Sequence, residues 1–192
     1  MKKNLLKTVF ASAFLVSFLS FTTVNAQDKK IDVKESNIKW EGEKVTGSHY
    51  GTIDLKNGHF TMENGELTGG EFVIDMSSIT VTDLTGEDKG KLEGHLKSDD
   101  FFGVKNHPTS KLVITSVAKK SNGTYGVVAN LTIKDKTNPV TFDLDWEDNS
   151  ASTELTINRS KYDVRYGSGS FFDNLGDQTI YDNFELEVEL KF

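Results

Sequence analysis

The sequence contains no cysteine and only two prolines among its 192 residues. Without a thiol, the chain can form no disulfide, bind no metal through thiolates and carry no lipid on a cysteine. It also has no nucleophile elbow, no glycine-rich phosphate loop and no HExxH motif, which are common signatures of enzymes. The sequence therefore predicts a protein that is not an enzyme and has no catalytic residues, with an enzyme acting on a buried ligand as the alternative.

Basic residues are in the minority: 22 Lys and Arg stand against 29 Asp and Glu, which gives a net charge of −7. Nucleic acids and anionic membrane surfaces are bound through basic patches. We therefore expect neither as a partner. Most of the acidic residues alternate with apolar ones, which is typical of the solvated face of a strand.

Long hydrophobic runs are also lacking. The longest, residues 9–21, is interrupted by serines and is too short for a good membrane span. It follows a start with three lysines and precedes the short residues Val24, Asn25 and Ala26, which is the pattern of a secretory signal peptide. We expect residues 1–26 to be cleaved and residues 27–192 to be exported as one soluble domain without stable membrane insertion. A retained N-terminal anchor is the alternative.

Apolar and polar residues alternate through most of residues 27–192, most regularly in residues 184–192. This period of two predicts strands with one apolar face, and turn sequences such as Asn64-Gly65 predict tight hairpins between them. About eight such strands can bury their apolar faces by closing into a barrel. The sequence thus predicts an all-β fold, an eight-stranded antiparallel up-and-down barrel, with a two-sheet sandwich as the alternative.

One segment breaks the alternation. Residues 88–97 place Leu92 and Leu96 four positions apart, which predicts a short helix. The adjacent Phe101 and Phe102 follow in a polar, turn-forming setting. Successive strand side chains face opposite ways, so both rings cannot enter a core from one strand. We expect the helix and this loop to cap one end of the barrel, and the lid or mouth candidates are Leu96, Phe101, Phe102 and His107. The two rings either pack the barrel end as loop anchors or contact the ligand directly.

Three motifs in order resemble the YceI-like family of lipid- and polyisoprenoid-binding proteins. They are HLKSDDFF at residues 95–102 with Pro108, LTI at residues 131–133 followed by PV at residues 139–140, and INRSKY at residues 157–162. The opening SNIKW at residues 36–40 also fits, and together these motifs extend over essentially all of residues 27–192.

The resemblance implies a lipocalin-like barrel in the periplasm that holds a long polyisoprenoid or fatty-acyl chain for transport, storage or sequestration. No cofactor other than such a lipid is implied. The chain departs from the family pattern at Lys44, where many members have histidine, at Glu93 in place of aspartate, and at Asp135 in place of glycine. The first departure bears on any head-group role of that position.

If the barrel has an open lumen, the inward residues of the predicted strands line it. The alternative is that these residues pack together as a solid core that holds no ligand, in a structural or stress-protective partner protein. The candidates are Ile38, Trp40, Phe72, Ile74, Met76, Leu112, Ile114, Val127, Leu131, Phe142, Leu144, Trp146, Leu155, Ile157, Leu186 and Val188.

Two polar features remain. Arg159 follows the point where a strand loses its alternation, and its guanidinium suits an anionic head group. The alternative is a structural clamp that pairs with a carboxylate or with loop carbonyls. The four histidines have no spacing typical of a metal site, so no metal is predicted.

Overall fold

The computed structural model describes residues 26–121 and 123–192. The predicted signal peptide, residues 1–26, lies outside the described residues except for Ala26. The described chain folds into nine strands and one α-helix, with two short 3₁₀ helices. The strands are β1 (Ala26–Lys30), β2 (Asp32–Lys44), β3 (Gly47–Glu63), β4 (Glu66–Val81), β5 (Thr109–Lys119), β6 (Thr124–Ile133), β7 (Lys136–Trp146), β8 (Ser150–Asn158) and β9 (Ile180–Lys191); the helix is α1 (Gly86–Lys97), and the 3₁₀ helices are Arg159–Tyr162 and Gly176–Gln178.

Each of the strands from β2 to β9 pairs antiparallel with the next one along the chain, and β9 pairs back with β2. The sheet is therefore a closed barrel of eight strands. This confirms the predicted fold class, and the sandwich alternative is wrong. Closure pairs β9 with β2, so neither strand is left as a free edge for unwanted strand pairing.

The first barrel strand is built from two pieces, because β1 and β2 occupy the same edge of β3. Lys30 lies opposite His59, and Lys39 lies opposite Thr52. Between the two pieces, the Ile31 amide donates to the Gly58 carbonyl at 3.0 Å. The strand β1 was not predicted, since its sequence AQDKK has no apolar alternation.

One end of the barrel, the closed end, is filled by aromatic rings. The Phe60 ring lies 5.0 Å from Phe72, 4.9 Å from Trp146 and 5.6 Å from Phe192, between ring centroids. The Lys29 ammonium lies 4.1 Å from the centroid of the Phe192 ring. Edge-to-face aromatic contacts of this kind add to the stabilisation from burial. The closed end is thus a packed plug.

The opposite end, the mouth end, is where β2 and β4 end and β9 begins. Helix α1 covers part of it, two residues longer at its start than the predicted 88–97. Leu96 is buried against the barrel, and the Glu93 carboxylate accepts a hydrogen bond from the Val81 amide at 2.9 Å. None of the helices in the described part of the chain is long and apolar enough to cross a membrane.

Candidate functional site

The barrel encloses a cavity of about 200 Å³. All eight barrel strands contribute to its wall, together with α1 and the loop that follows it. The few polar residues of the wall include Ser110 and Thr153, and the Thr153 hydroxyl is occupied by a hydrogen bond to the Asp143 carbonyl at 2.7 Å. The cavity therefore offers apolar contact and few polar groups for recognition.

Most of the strand residues that were predicted to face inward line this cavity. The predicted residues that line the cavity are Ile38, Trp40, Phe72, Ile74, Met76, Leu112, Ile114, Leu131, Phe142, Leu144, Leu155, Ile157, Leu186 and Val188.

Val127 and Trp146 do not line the cavity. Both lie near the closed end, where rings fill the barrel: Trp146 stacks on Phe192 at 4.7 Å, and Val127 is 2% exposed within the same core cluster. Their inward orientation follows from the strand alternation, but their depth along the barrel places them in the plug.

The structure adds wall residues that were not among the candidates. Several share the inward phase of predicted strands and could have been found by extending the alternation: Ile53, Leu55, Ile133, Phe184 and Leu190. Phe60 and Ile79 lie beyond register shifts between β3 and β4 that break this phase. The remaining additions, Gly42, Ser110, Thr153, Ile180 and Tyr181, carry no apolar signal or lie at strand ends.

The loop after α1 directs both rings of the predicted lid toward the cavity. The Phe102 amide donates to the Leu96 carbonyl at 3.1 Å, and Gly103 has a φ of 58°, a conformation that suits glycine. Phe101 is 7% exposed and Phe102 is half-buried, with 5.0 Å between ring centroids. Both rings line the cavity at the mouth end, as does Leu96.

His107, the remaining lid candidate, does not reach the cavity. Its Nδ1 lies 3.0 Å from an Asp135 carboxylate oxygen in the turn between β6 and β7. The turn residue Asp135 has a φ of 60°. His107 therefore connects the lid loop to this neighbouring turn on the outer surface.

Arg159 is 2% exposed and is held by backbone carbonyls. Its guanidinium donates to Tyr181 at 3.1 Å, to Val164 at 2.9 Å and to Ile180 at 3.0 Å, and it lies 3.6 Å from the Asp182 carboxylate. Burial lowers the pKa of Arg159, and the nearby carboxylate partly opposes this effect. These contacts match the structural-clamp alternative, although the residue also forms part of the cavity wall.

A second, larger space of about 900 Å³, here called the mouth cleft, lies outside the lid. Its wall includes Ile180, which also lines the barrel cavity. The two spaces are therefore neighbours across one side chain. The other residues of the mouth cleft are Lys44, Asp99, Asp100, Lys134, Asp163, Arg165, Tyr166, Gly167, Phe172, Leu175, Asp177 and Gln178.

Comparison with known protein families identifies the family to which this barrel belongs. The sequence model of the YceI-like domain matches residues 30–192. The chain belongs to the YceI-like family. This confirms the resemblance carried by the three motifs.

Curated relatives of this YceI-like protein are described as UPF0312 proteins. One from Vibrio campbellii is 32% identical over 149 residues, covering 76% of this chain and 75% of the relative. One from Shewanella denitrificans is 29% identical over 144 residues, covering 73% of this chain and 71% of the relative.

Solved structures share the fold at low sequence identity. Burkholderia cenocepacia BcnA superposes with a TM-score of 0.68 at 19% identity, covering 83% of this chain and 98% of BcnA. A polyisoprenoid-binding domain from Saccharophagus degradans, implicated in plant cell wall breakdown, gives a TM-score of 0.56 at 14% identity, covering 88% of this chain and 97% of that domain. At these identities the likeness concerns the fold alone.

Proposed function

We propose that this YceI-like protein is a binding protein, not an enzyme, that holds the apolar chain of a lipid inside its barrel. The observation that carries the proposal is the cavity inside the barrel, whose wall is almost entirely apolar and which adjoins the mouth cleft. Burying each CH₂ group contributes about 0.8 kcal/mol, so a hydrocarbon chain can bind by contact area without specific polar groups. The polyisoprenoid-binding relative supports the same class of ligand.

The size of the cavity bears on the length of the chain. At about 200 Å³ it is smaller than small-molecule sites, which span roughly 300–1,000 Å³. A long polyisoprenoid or fatty-acyl chain therefore requires the wall to move. At the mouth end, Phe102 is half-buried and Ile180 separates the cavity from the mouth cleft. We propose that the chain enters there and displaces Phe102 and Ile180, with its polar head left in the mouth cleft.

The same small volume favours a second candidate, a structural or stress-protective protein with a filled core. Lipid extraction and mass spectrometry of the protein, purified gently from the organism that encodes it, separates the two. A stoichiometric long-chain lipid supports the carrier, whereas repeated recovery without lipid supports the filled core.

Binding in the barrel predicts a specific effect of substitution at Leu186, which lies opposite Trp40 and Leu155 on the cavity wall. Leu186→Phe should lower affinity for a fluorescent polyene fatty acid by about tenfold or more, since the larger ring fills space that the ligand needs. Glu185→Arg, on the exposed face of the same strand, is the matched control and should leave affinity unchanged. Equal effects of the two substitutions would contradict binding in the barrel.

The site of action is proposed from the N-terminal sequence. We propose export to the periplasm and cleavage close to Ala26, as the lysines and apolar run predict. N-terminal sequencing of the protein from an osmotic-shock fraction tests this. An intact chain starting at Met1 in the cytoplasmic fraction would contradict it.

A further inference from the structure

We infer that the mouth end docks on the surface of a lipid bilayer with zwitterionic head groups, through five exposed aromatic side chains. The choice of a bilayer as partner rests on the proposed function, because a lipid carrier must exchange its cargo with a membrane. These side chains, here called the rim aromatics, are Tyr50, Tyr166, Phe171, Phe172 and Tyr181, each between 40% and 52% exposed.

The distribution of exposed apolar side chains supports this inference. All exposed large aromatics among the described residues belong to the mouth end: Tyr50 is the fourth residue of β3, Tyr181 is the second residue of β9, and the other three lie in the loop of residues 163–179. At the closed end the aromatic rings pack on one another instead. Concentrated exposed apolar surface marks interaction sites more often than single exposed residues do.

The backbone beneath the exposed phenylalanines is anchored. The amides of Phe171 and Phe172 donate to the Ser168 carbonyl at 3.1 and 3.0 Å, and Ser168 is fully buried. The Ser170 hydroxyl donates to the Asp182 carboxylate at 2.5 Å. The rings are thus held outward by a bonded turn, so docking costs little ordering of the loop.

The position of the rim aromatics fits cargo exchange. Tyr166 and Phe172 line the mouth cleft, and Ile180 separates this cleft from the barrel cavity. A chain that leaves the barrel at this point passes between the rim aromatics. A bilayer pressed against them receives the chain without exposing it to water.

The charges of the mouth select the kind of bilayer. Within the mouth cleft, Asp99, Asp100, Asp163 and Asp177 outnumber Lys44, Lys134 and Arg165, and the whole chain is acidic. Anionic bilayers attract surfaces with an excess of basic residues, whereas the mouth cleft has a small excess of acidic ones. Tyrosine and phenylalanine rings instead suit the head-group region of a neutral bilayer, where an apolar body and a polar tip are both satisfied and ammonium groups can lie over ring faces.

Co-sedimentation with phosphatidylcholine vesicles tests the inference. The double variant Tyr50→Ser, Phe171→Ser removes two exposed rings that line neither the barrel cavity nor the mouth cleft, and it should reduce vesicle binding by about tenfold or more. The matched control is Val33→Ser, Val128→Ser, which removes two side chains of 37% and 38% exposure from the barrel wall. This control should bind as the original protein does, and vesicles rich in phosphatidylglycerol should bind less protein than phosphatidylcholine vesicles.

Binding of the fluorescent polyene fatty acid in solution separates this inference from the proposed function. If the original protein and the double serine variant bind the fatty acid equally and only vesicle binding is lost, both proposals are supported. No vesicle binding, a preference for anionic vesicles, or equal loss in the control pair overturns the docking inference while leaving cargo binding intact. Self-association that disappears in the double variant also overturns it, because a second copy would then be the occupant. Failure of the original protein to bind any fatty acid overturns the proposed function instead.

Discussion

At the closed end of the barrel, Phe60, Trp146 and Phe192 pack together inside the strands, whereas at the mouth end Phe171 and Phe172 stand in solvent. At the closed end, the rings lie on strands or next to them, and residues of the opposite strands face these rings across the lumen. Those of the mouth end belong to a loop with no strand opposite. The same type of side chain therefore stabilises the fold at one end and remains free for contact at the other.

The contrast between the two ends predicts that substitutions in the aromatic plug of the closed end have the largest effect on stability. Phe60→Ala should lower the free energy of unfolding by about 3–5 kcal/mol, because it leaves a cavity among three other rings. Phe171→Ala should change it by less than about 0.5 kcal/mol, as expected of an exposed side chain. Urea unfolding of both variants measures the difference. Similar losses of unfolding free energy would contradict the view that the rings of the closed end stabilise the fold and those of the mouth end do not.

A somewhat smaller effect is expected where the mouth loop is attached to the barrel. Arg159→Met should cost about 3 kcal/mol, because it leaves three backbone carbonyls without their donor and removes the positive charge beside the Asp182 carboxylate. The amide of Ile180, which donates to the Gly167 carbonyl at 2.8 Å, should exchange its hydrogen faster. Arg165→Met, an exposed arginine of the same loop, is the control and should leave that exchange unchanged. Unaltered exchange in the Arg159 variant would argue against the clamp.

The two phenylalanines of the predicted lid have different roles. Phe101 belongs to a buried cluster and should act mainly as an anchor, whereas the half-buried Phe102 faces both cavity and mouth. Phe102→Ala should cost about 1–2 kcal/mol, less than a fully buried phenylalanine. It should also speed release of the fluorescent polyene fatty acid about tenfold, mostly in the off-rate. Stopped-flow displacement measures that rate. A normal release rate from a destabilised variant would remove the lid role of Phe102.

Much of this architecture follows from local sequence because a period of two determines which face of a strand is apolar. It does not determine depth along the barrel, which is why Val127 and Trp146 were assigned to the lumen and lie in or beside the plug. The sequence of β1 has no periodic signal. It could not be predicted as a strand, because only its pairing with β3 makes it one.

The two phenylalanine pairs show a second limit of local sequence. Both Phe101-Phe102 and Phe171-Phe172 lie in polar, turn-forming segments with serine, aspartate and glycine nearby. One pair packs inward because helix α1 and the loop after it place it over the cavity, and the other is held outward by bonds to Ser168. Only tertiary contacts distinguish a ring that plugs the barrel from one that faces solvent.

The smallest effect is expected at the exposed ion pair of the mouth. A hydrogen bond from Arg165 at 2.5 Å lowers the pKa of Asp163, with burial opposing and nearby lysines assisting. A carboxyl whose pKa is lowered in the folded state adds stability above its unfolded pKa of about 3.9. That stability is lost as the pH falls through the folded pKa. Since both side chains are 43% or more exposed, the contribution at pH 7 should be below about 1 kcal/mol.

A double-mutant cycle with Arg165→Gln and Asp163→Asn isolates this coupling, and asparagine tolerates the φ of 61° at this position. The coupling measured by urea unfolding should be present at pH 7 and should be smaller at pH 2.5, because that pH lies below the unfolded pKa and the stability from a lowered folded pKa is already being lost there. Arg165→Lys keeps the charge and should retain part of the coupling. A coupling of the same size at both pH values would contradict an electrostatic origin, whereas a stability loss in the single Arg165→Gln variant that persists at pH 2.5 would indicate that Arg165 acts through its packing on Phe171, 5.0 Å from the ring centroid. In that case the pair would contribute to the display of the rim aromatics and not to the electrostatics of the mouth.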